Sequence, residues 1–179
     1  MDKQEDNSAQ EIQADLSEIE RDLTLRHLLW ESQVEWEKLS TEWTSGPFDQ
    51  LNVDSLQKNV NRFTQTVYML EKGLPHNEVV PRLKEKVLDF KQVMPGIISL
   101  RNPSLKPRHW DQIENIIGKS INKNKDFTLG DLLEMNISRY KDKIQDISTT
   151  ASNEATLERM LQKVVDLWQA TSFRLVPPF

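Results

Sequence analysis

From Glu11 to Thr44 the chain contains neither proline nor glycine, the two residues that most readily end a helix, one by removing a donor and the other by its backbone entropy. Within that stretch Leu25, Leu29, Ser32, Trp36, Leu39 and Trp43 recur four and three residues apart, which places them on one face of a helix. At 1.5 Å per residue, some thirty residues make a rod of about 45 Å. An apolar seam of that length has to be covered, so this one feature predicts a bundle in which further helices lie beside the first. The rest of the composition agrees: five glycines in 179 residues and 28% charged residues favour long helices joined by short, proline-marked connections.

Gly46 and Pro47 end the first helix, and Phe48 is expected to turn back onto it. Asp54 as N-cap, with Gln57 three residues on, announces a second helix, whose face is Leu56, Val60, Phe63, Val67 and Leu70 and whose stop is Gly73. Val80, Leu83, Val87 and Phe90 line a third, with Pro81 allowed in its first turn and Pro95-Gly96 expected to end it. Pro103 and Pro107 then interrupt the apolar stretch IISLRNPSLKPRHW, which reads as a packed connector with a short helix from about Arg108, and Pro95 to Pro107 as a rigid corner anchored by Ile97, Ile98, Leu100 and Leu105. In that helix Trp110 is expected to be buried, and His109 to be a packed or hydrogen-bonded surface histidine. Thr128 and Asp131 form a capping-box signature. A final long helix is predicted from one stripe, Ile144, Ile147, Ala151, Leu157, Leu161, Val164 and Trp168. Phe173 and Leu175 alternate about Arg174 like a strand that lacks a partner. The fold class is therefore all-α: an elongated antiparallel helical bundle of about five to six helices with a short strand-like segment at the C-terminus. Residues 1–24 read as a polar, acidic N-terminal extension able to continue into the first helix, and residues 25–179 as the bundle.

Gly118-Lys119-Ser120 has the last three letters of a phosphate-binding P-loop. The motif needs a first glycine five residues earlier so that backbone N–H groups can wrap the phosphates, and that position is Ile113. Gly118 instead sits where a helical pattern ends, as a left-handed C-cap. The absence of cysteine removes disulfides, thiolate metal sites and cysteine nucleophiles, and fits a reducing compartment. His27, His76 and His109 lie far apart with no metal-ligand spacing. The carboxylates alternate with lysine and arginine along helix faces, as in RLKEKVLDFK, a pattern of solvation and i,i+4 pairing. No catalytic, cofactor-binding or metal-binding residue is assigned. The charge of −5 and the lack of aromatics around KSINKNK argue against nucleic acid. The start MDKQEDNSAQ lacks an apolar signal core, so a soluble chain with no secretory signal and no membrane partner is expected. Among the tryptophans, Trp36 and Trp43 share the seam and read as core, whereas Trp30 lies off it and is suited to an outside contact.

Four marks in one order remain: LLWESQVEWEKLSTEW followed by PF; FKQVMPGIISLRNPSLKPRHWDQI; FTLGDLLEM; and IQDISTTASNEATLERMLQKVVDLW leading to FRLVPPF. In this order the chain resembles the dynein heavy chains, in the region where the N-terminal tail joins the linker that lies across the motor ring. The residues that carry the resemblance are Trp30, Trp36, Trp43, Pro47, Phe48, Pro95, Arg108, His109, Trp110, Phe127, Leu129, Ala151, Glu154 and Trp168. LLWESQVEW looks closer to axonemal than to cytoplasmic heavy chains. The resemblance implies a non-catalytic lever segment, the N-terminal part of the linker, in a motor whose ATP is bound in the AAA+ ring elsewhere. It implies as partners the remainder of the linker, the ring and other dynein subunits, and as location the cytoskeleton of the cytoplasm and the ciliary axoneme. The unpaired strand suggests weak self-association. The competing reading is a helical interaction module, adaptor-like or spectrin-like, that binds a partner helix and moves nothing.

Overall fold

The computed structural model describes residues 2–121 and 127–171, and side chains from Ile12 onward. Six α-helices follow one another: α1 (Asp2–Ser45), α2 (Val53–Gly73), α3 (Val79–Leu100), α4 (Pro107–Ile117), α5 (Leu129–Glu134) and α6 (Lys141–Ala170), with short 3-10 turns at Phe48–Gln50 and Ile137–Arg139. The all-α class is as the periodicity predicts. Among the described residues the sole β-type pairing is an isolated bridge between Pro47 and Thr128. The expected strand around Phe173 and Leu175, like residues 122–126 of the basic stretch, lies outside the described residues.

The first three helices pack side by side through the predicted faces. Leu25 touches the end of α2 at Gly73, and Arg62 of α2 pairs with Glu35 of α1 at 2.7 Å, so the two helices run antiparallel. Lys84 of α3 pairs with Glu71 near the end of α2 at 2.7 Å. In the core, Trp36 stands edge-on to Phe63 of α2 at 5.1 Å and to Phe90 of α3 at 5.7 Å, with Trp43 5.9 Å away. Both tryptophans are buried and Trp30 is 57% exposed, as the seam predicts.

Several boundaries differ from the sequence reading. The cap of α2 is Asn52, whose Oδ1 accepts from the Ser55 N–H at 3.0 Å, and not Asp54. Starting earlier brings Val53 against the core. Phe48 is buried and packs edge-on to Phe127 at 5.8 Å, and its N–H donates to the Phe127 carbonyl at 2.8 Å. Pro95-Gly96 does not end α3, which continues to Leu100. Proline removes its own donor to the carbonyl of Lys91 and crowds that carbonyl, but both residues lie on the exposed side, where water can take it. Gly96 is required by packing: a Cβ there would lie 2.7 Å from Ile137 Cγ2. The corner between α3 and α4 is accordingly shorter than expected, residues 101–106, and of its proposed anchors Ile97 and Leu100 are buried, Leu105 packs against the core and Ile98 is exposed.

The stripe on α6 divides. Ile144, Ser148 and Ala151 are buried, but Leu157, Leu161, Val164 and Trp168 are exposed. Beyond Ala155 the helix has left the bundle: each residue from Thr156 to Thr171 is exposed, whichever face it lies on. No helix among the described residues is long and apolar enough to cross a membrane.

Trp36→Ala is expected to cost about 3–5 kcal/mol in chemical denaturation, as a large aromatic truncation in a packed core, whereas Trp30→Ala should move the midpoint by less than about 1 kcal/mol. Gly96→Ala should destabilise by about 1–3 kcal/mol although alanine is the better helix former, because the added methyl overpacks Ile137.

Candidate functional site: the anchor around His109

The connector from Arg101 to Lys106 and the start of α4 converge on one face of α6. Asn102 opens the connector with a local turn, its Oδ1 accepting from the Ser104 N–H at 2.9 Å. Its Nδ2 donates across to α6, within 2.9 Å of the Ser148 carbonyl and 2.8 Å of the hydroxyls of Ser148 and Ser152. One asparagine thus holds the chain's own bend and binds the neighbouring helix.

The next turn is built by Pro107, which occupies the first position of α4, where its missing N–H costs nothing. His109, two residues further, accepts the Lys106 N–H on Nδ1 at 3.0 Å. With Nδ1 used as an acceptor, the proton of the neutral ring resides on Nε2, which donates to Glu154 Oε2 at 3.1 Å. The side chain is 3% exposed, and both ring nitrogens are satisfied, the condition for burying a polar ring at low cost. Arg108 Nη2 pairs with the same carboxylate oxygen, and Lys106 Nζ pairs with Glu158 one turn further along α6. The Arg108 hydrogen bond holds the Glu154 carboxyl below the usual carboxylate range; partial burial opposes this, and the Arg108 charge and the hydrogen bond from His109 add to it.

The burial expected for Trp110 falls instead to its neighbour. His109 is buried, while Trp110 is half-buried and packs against the core from outside. The helical register decides this: His109 precedes Ile113 by four residues and shares its inward face, whereas Trp110 is turned away by about 100°.

The other residues singled out from the sequence fall into separate groups. Trp36 and Trp43 form the aromatic junction; Pro47, Phe48, Phe127 and Leu129 join the end of α1 to the start of α5; Pro95 lies exposed within α3; Ala151 is buried on α6. Trp30 and Trp168 are exposed on α1 and α6. Arg108, His109 and Glu154 meet at the anchor. Asn102, Lys106, Ser148, Ser152 and Glu158 complete that place and were not assigned from the sequence. The dipeptide Asn102-Pro103 was the available signal, since it marks a turn in which the asparagine side chain bonds locally.

Gly118, with φ of 73°, caps the C-terminus of α4, and Ile113 is fully buried, so the segment forms a helix end and not a phosphate loop. Among the described residues no group of three or more His, Cys, Asp or Glu is placed to hold a metal ion.

Residues 16–178 match the family described as dynein heavy chain, N-terminal region 2. Dynein axonemal heavy chain 6 of Homo sapiens is 44% identical over 163 residues, 90% of this chain and 4% of that protein. Dynein axonemal heavy chain 2 of Homo sapiens is 30% identical over 166 residues, 91% of this chain and 4% of that protein. Dynein-1-beta heavy chain, flagellar inner arm I1 complex, of Chlamydomonas reinhardtii is 29% identical over 157 residues, 87% of this chain and 4% of that protein. The chain spans 4% of the length of these relatives.

Because Glu154 is depressed in the folded protein, its contribution to stability is present above the unfolded carboxylate pKa and is lost as pH falls through the lower folded value. Denaturation midpoints measured from neutral to acid pH should show Glu154→Gln less stable than the parent at neutral pH, with the difference shrinking as the parent carboxylate is protonated. A difference that stays constant with pH would assign the effect to shape and not to charge.

Proposed function

The chain belongs to the dynein heavy chains, and on that premise we propose that it forms the N-terminal part of the linker, a non-catalytic lever segment that transmits force between the tail and the motor ring. The observation that carries this reading is the anchor on α6. A lever must resist shear between its rods as well as bending, and apolar faces alone permit sliding. Directional bonds from Asn102, Arg108 and His109 to Ser148, Ser152 and Glu154 fix the register of α6 against α4 and the connector.

The outer half of α6 supports the same reading. Leu157, Leu161, Val164 and Leu167 are exposed, an apolar surface suited to the remainder of the linker. ATP binding and turnover then belong to the ring of the whole heavy chain, and the axonemal names of the relatives favour a cilium or flagellum as the site of action.

A heavy chain carrying Arg108→Ala with Glu154→Ala is expected to keep its basal ATP turnover while its microtubule gliding slows by roughly twofold or more, because the ring is intact and the lever slips. Unchanged gliding with unchanged turnover would overturn the lever role. A parallel fall in both would place the anchor in the catalytic cycle and not in force transmission.

A further inference from the structure

Helix α1 has two apolar faces, and only one is used. Leu29, Trp36 and Trp43 lie in the bundle. Ile12, Leu16, Ile19, Leu23, Trp30 and Val34 are each more than half exposed. Their spacing of four, three and four, then seven and four, keeps them together, and at about 100° per residue they lie roughly 150° around the helix from the buried seam. The exposed stripe runs for about 33 Å and continues alongside the part of α1 that is already docked. Neither isolated apolar residues nor a solvated face produce that pattern; it is the seam of a helix that pairs with another helix.

The flanks of the stripe say what kind of helix. Asp15, Asp22 and Glu37 border one side, and Glu20 and Glu31 the other, against Arg26 and Lys38. Arg26 is held by Asp22 at 2.7 Å, Glu31 faces His27 at 3.1 Å and Glu37 faces Lys86 of α3 at 3.6 Å, which leaves Asp15 on one border and Glu20 on the other without an ion-pair partner among the described residues. A second copy of α1 would bring acidic flank against acidic flank in either direction, which is unfavourable at the positions bordering a paired-helix seam. The outer half of α6 does not match either, because Arg159 and Lys163 there alternate with Glu158 and Asp166.

The geometry points to a docking seam for a helix supplied by another polypeptide, one with leucine-type residues at alternating four and three spacing and lysine or arginine along both borders. The apolar stripe provides the contact, and the charge pattern selects the partner and excludes self-pairing. From Ile12 to Leu23 the stripe is clear of the bundle, and its end at Trp30 reaches the groove beside Val79, Arg82 and Leu83 of α3.

The test uses the intact chain and two labelled synthetic helices with the same leucine seam, one bordered by lysine and one by glutamate, in fluorescence anisotropy titrations. The lysine-bordered helix should bind, and the glutamate-bordered helix should bind at least about tenfold more weakly. The preference should shrink at high ionic strength. Leu16→Gln with Leu23→Gln should abolish binding, while circular dichroism shows the helix content and melting of the bundle unchanged. A third variant, Asp15→Lys with Glu20→Lys, should reverse the preference between the two peptides. Equal binding of both peptides, or none of either, would overturn the proposal. Concentration-dependent dimerisation in sedimentation, lost in the Leu16→Gln, Leu23→Gln variant, would assign the seam to a second copy of the chain and overturn it as well.

Discussion

The burial of Trp36 is the constraint on which the other placements depend. Its ring meets Phe63 and Phe90 edge-on, so three helices are fixed at one point by groups whose geometry is directional as well as apolar, each such pair adding about 0.5–1.5 kcal/mol beyond area burial. Phe90 also meets Trp43 at 5.5 Å, which aligns α3 along a further two turns of α1. Once α3 is held, its far end sets the rest: Gly96 admits Ile137, Ile137 leads into α6, and the corner after Leu100 delivers Asn102 to Ser148. The sequence of dependence runs from an apolar junction to a polar one.

The two junctions contribute differently. The aromatic junction removes large surfaces from water and dominates stability. The polar junction is partly solvated, with the Arg108 side chain 56% exposed, and exposed ion pairs add little net free energy. Its value is positional. His109 is buried with both nitrogens committed, and a shift of α6 by one turn would strand a buried donor, a penalty larger than the gain of making the bond. That asymmetry makes the anchor a register lock between α4 and α6.

A helix with apolar faces on opposite sides cannot satisfy both within one small bundle. In α1 the bundle takes the face of Leu29, Trp36 and Trp43, and in α6 it takes Ile144 and Ala151. The remaining faces point away from the shared core, at its two ends in sequence. The bundle therefore has a finished interior and leaves two apolar surfaces uncovered among the described residues.

Periodicity and capping are local properties, and what depends on them was legible in the sequence: the helical class, the seam through Trp36 and Trp43, the faces of α2 and α3, the Thr128–Asp131 capping box, the Gly118 stop, and the exclusion of a phosphate loop by Ile113. Pairings between distant segments were not, since the alternatives have similar local energies. Pro95 could have ended α3, and only the exposure of the freed Lys91 carbonyl and the space Gly96 gives Ile137 carry the helix through. His109 and Trp110 could each have been the buried member of their pair, and the register to Ile113 settled it. Asn102 and Ser148 are 46 residues apart, beyond the reach of any spacing argument. The sequence by itself determined which stretches are helices and which faces are apolar, because those follow from the chain's own 3.6-residue repeat. The tertiary structure alone decided which apolar face is covered and which polar group is locked, because that depends on what arrives beside it.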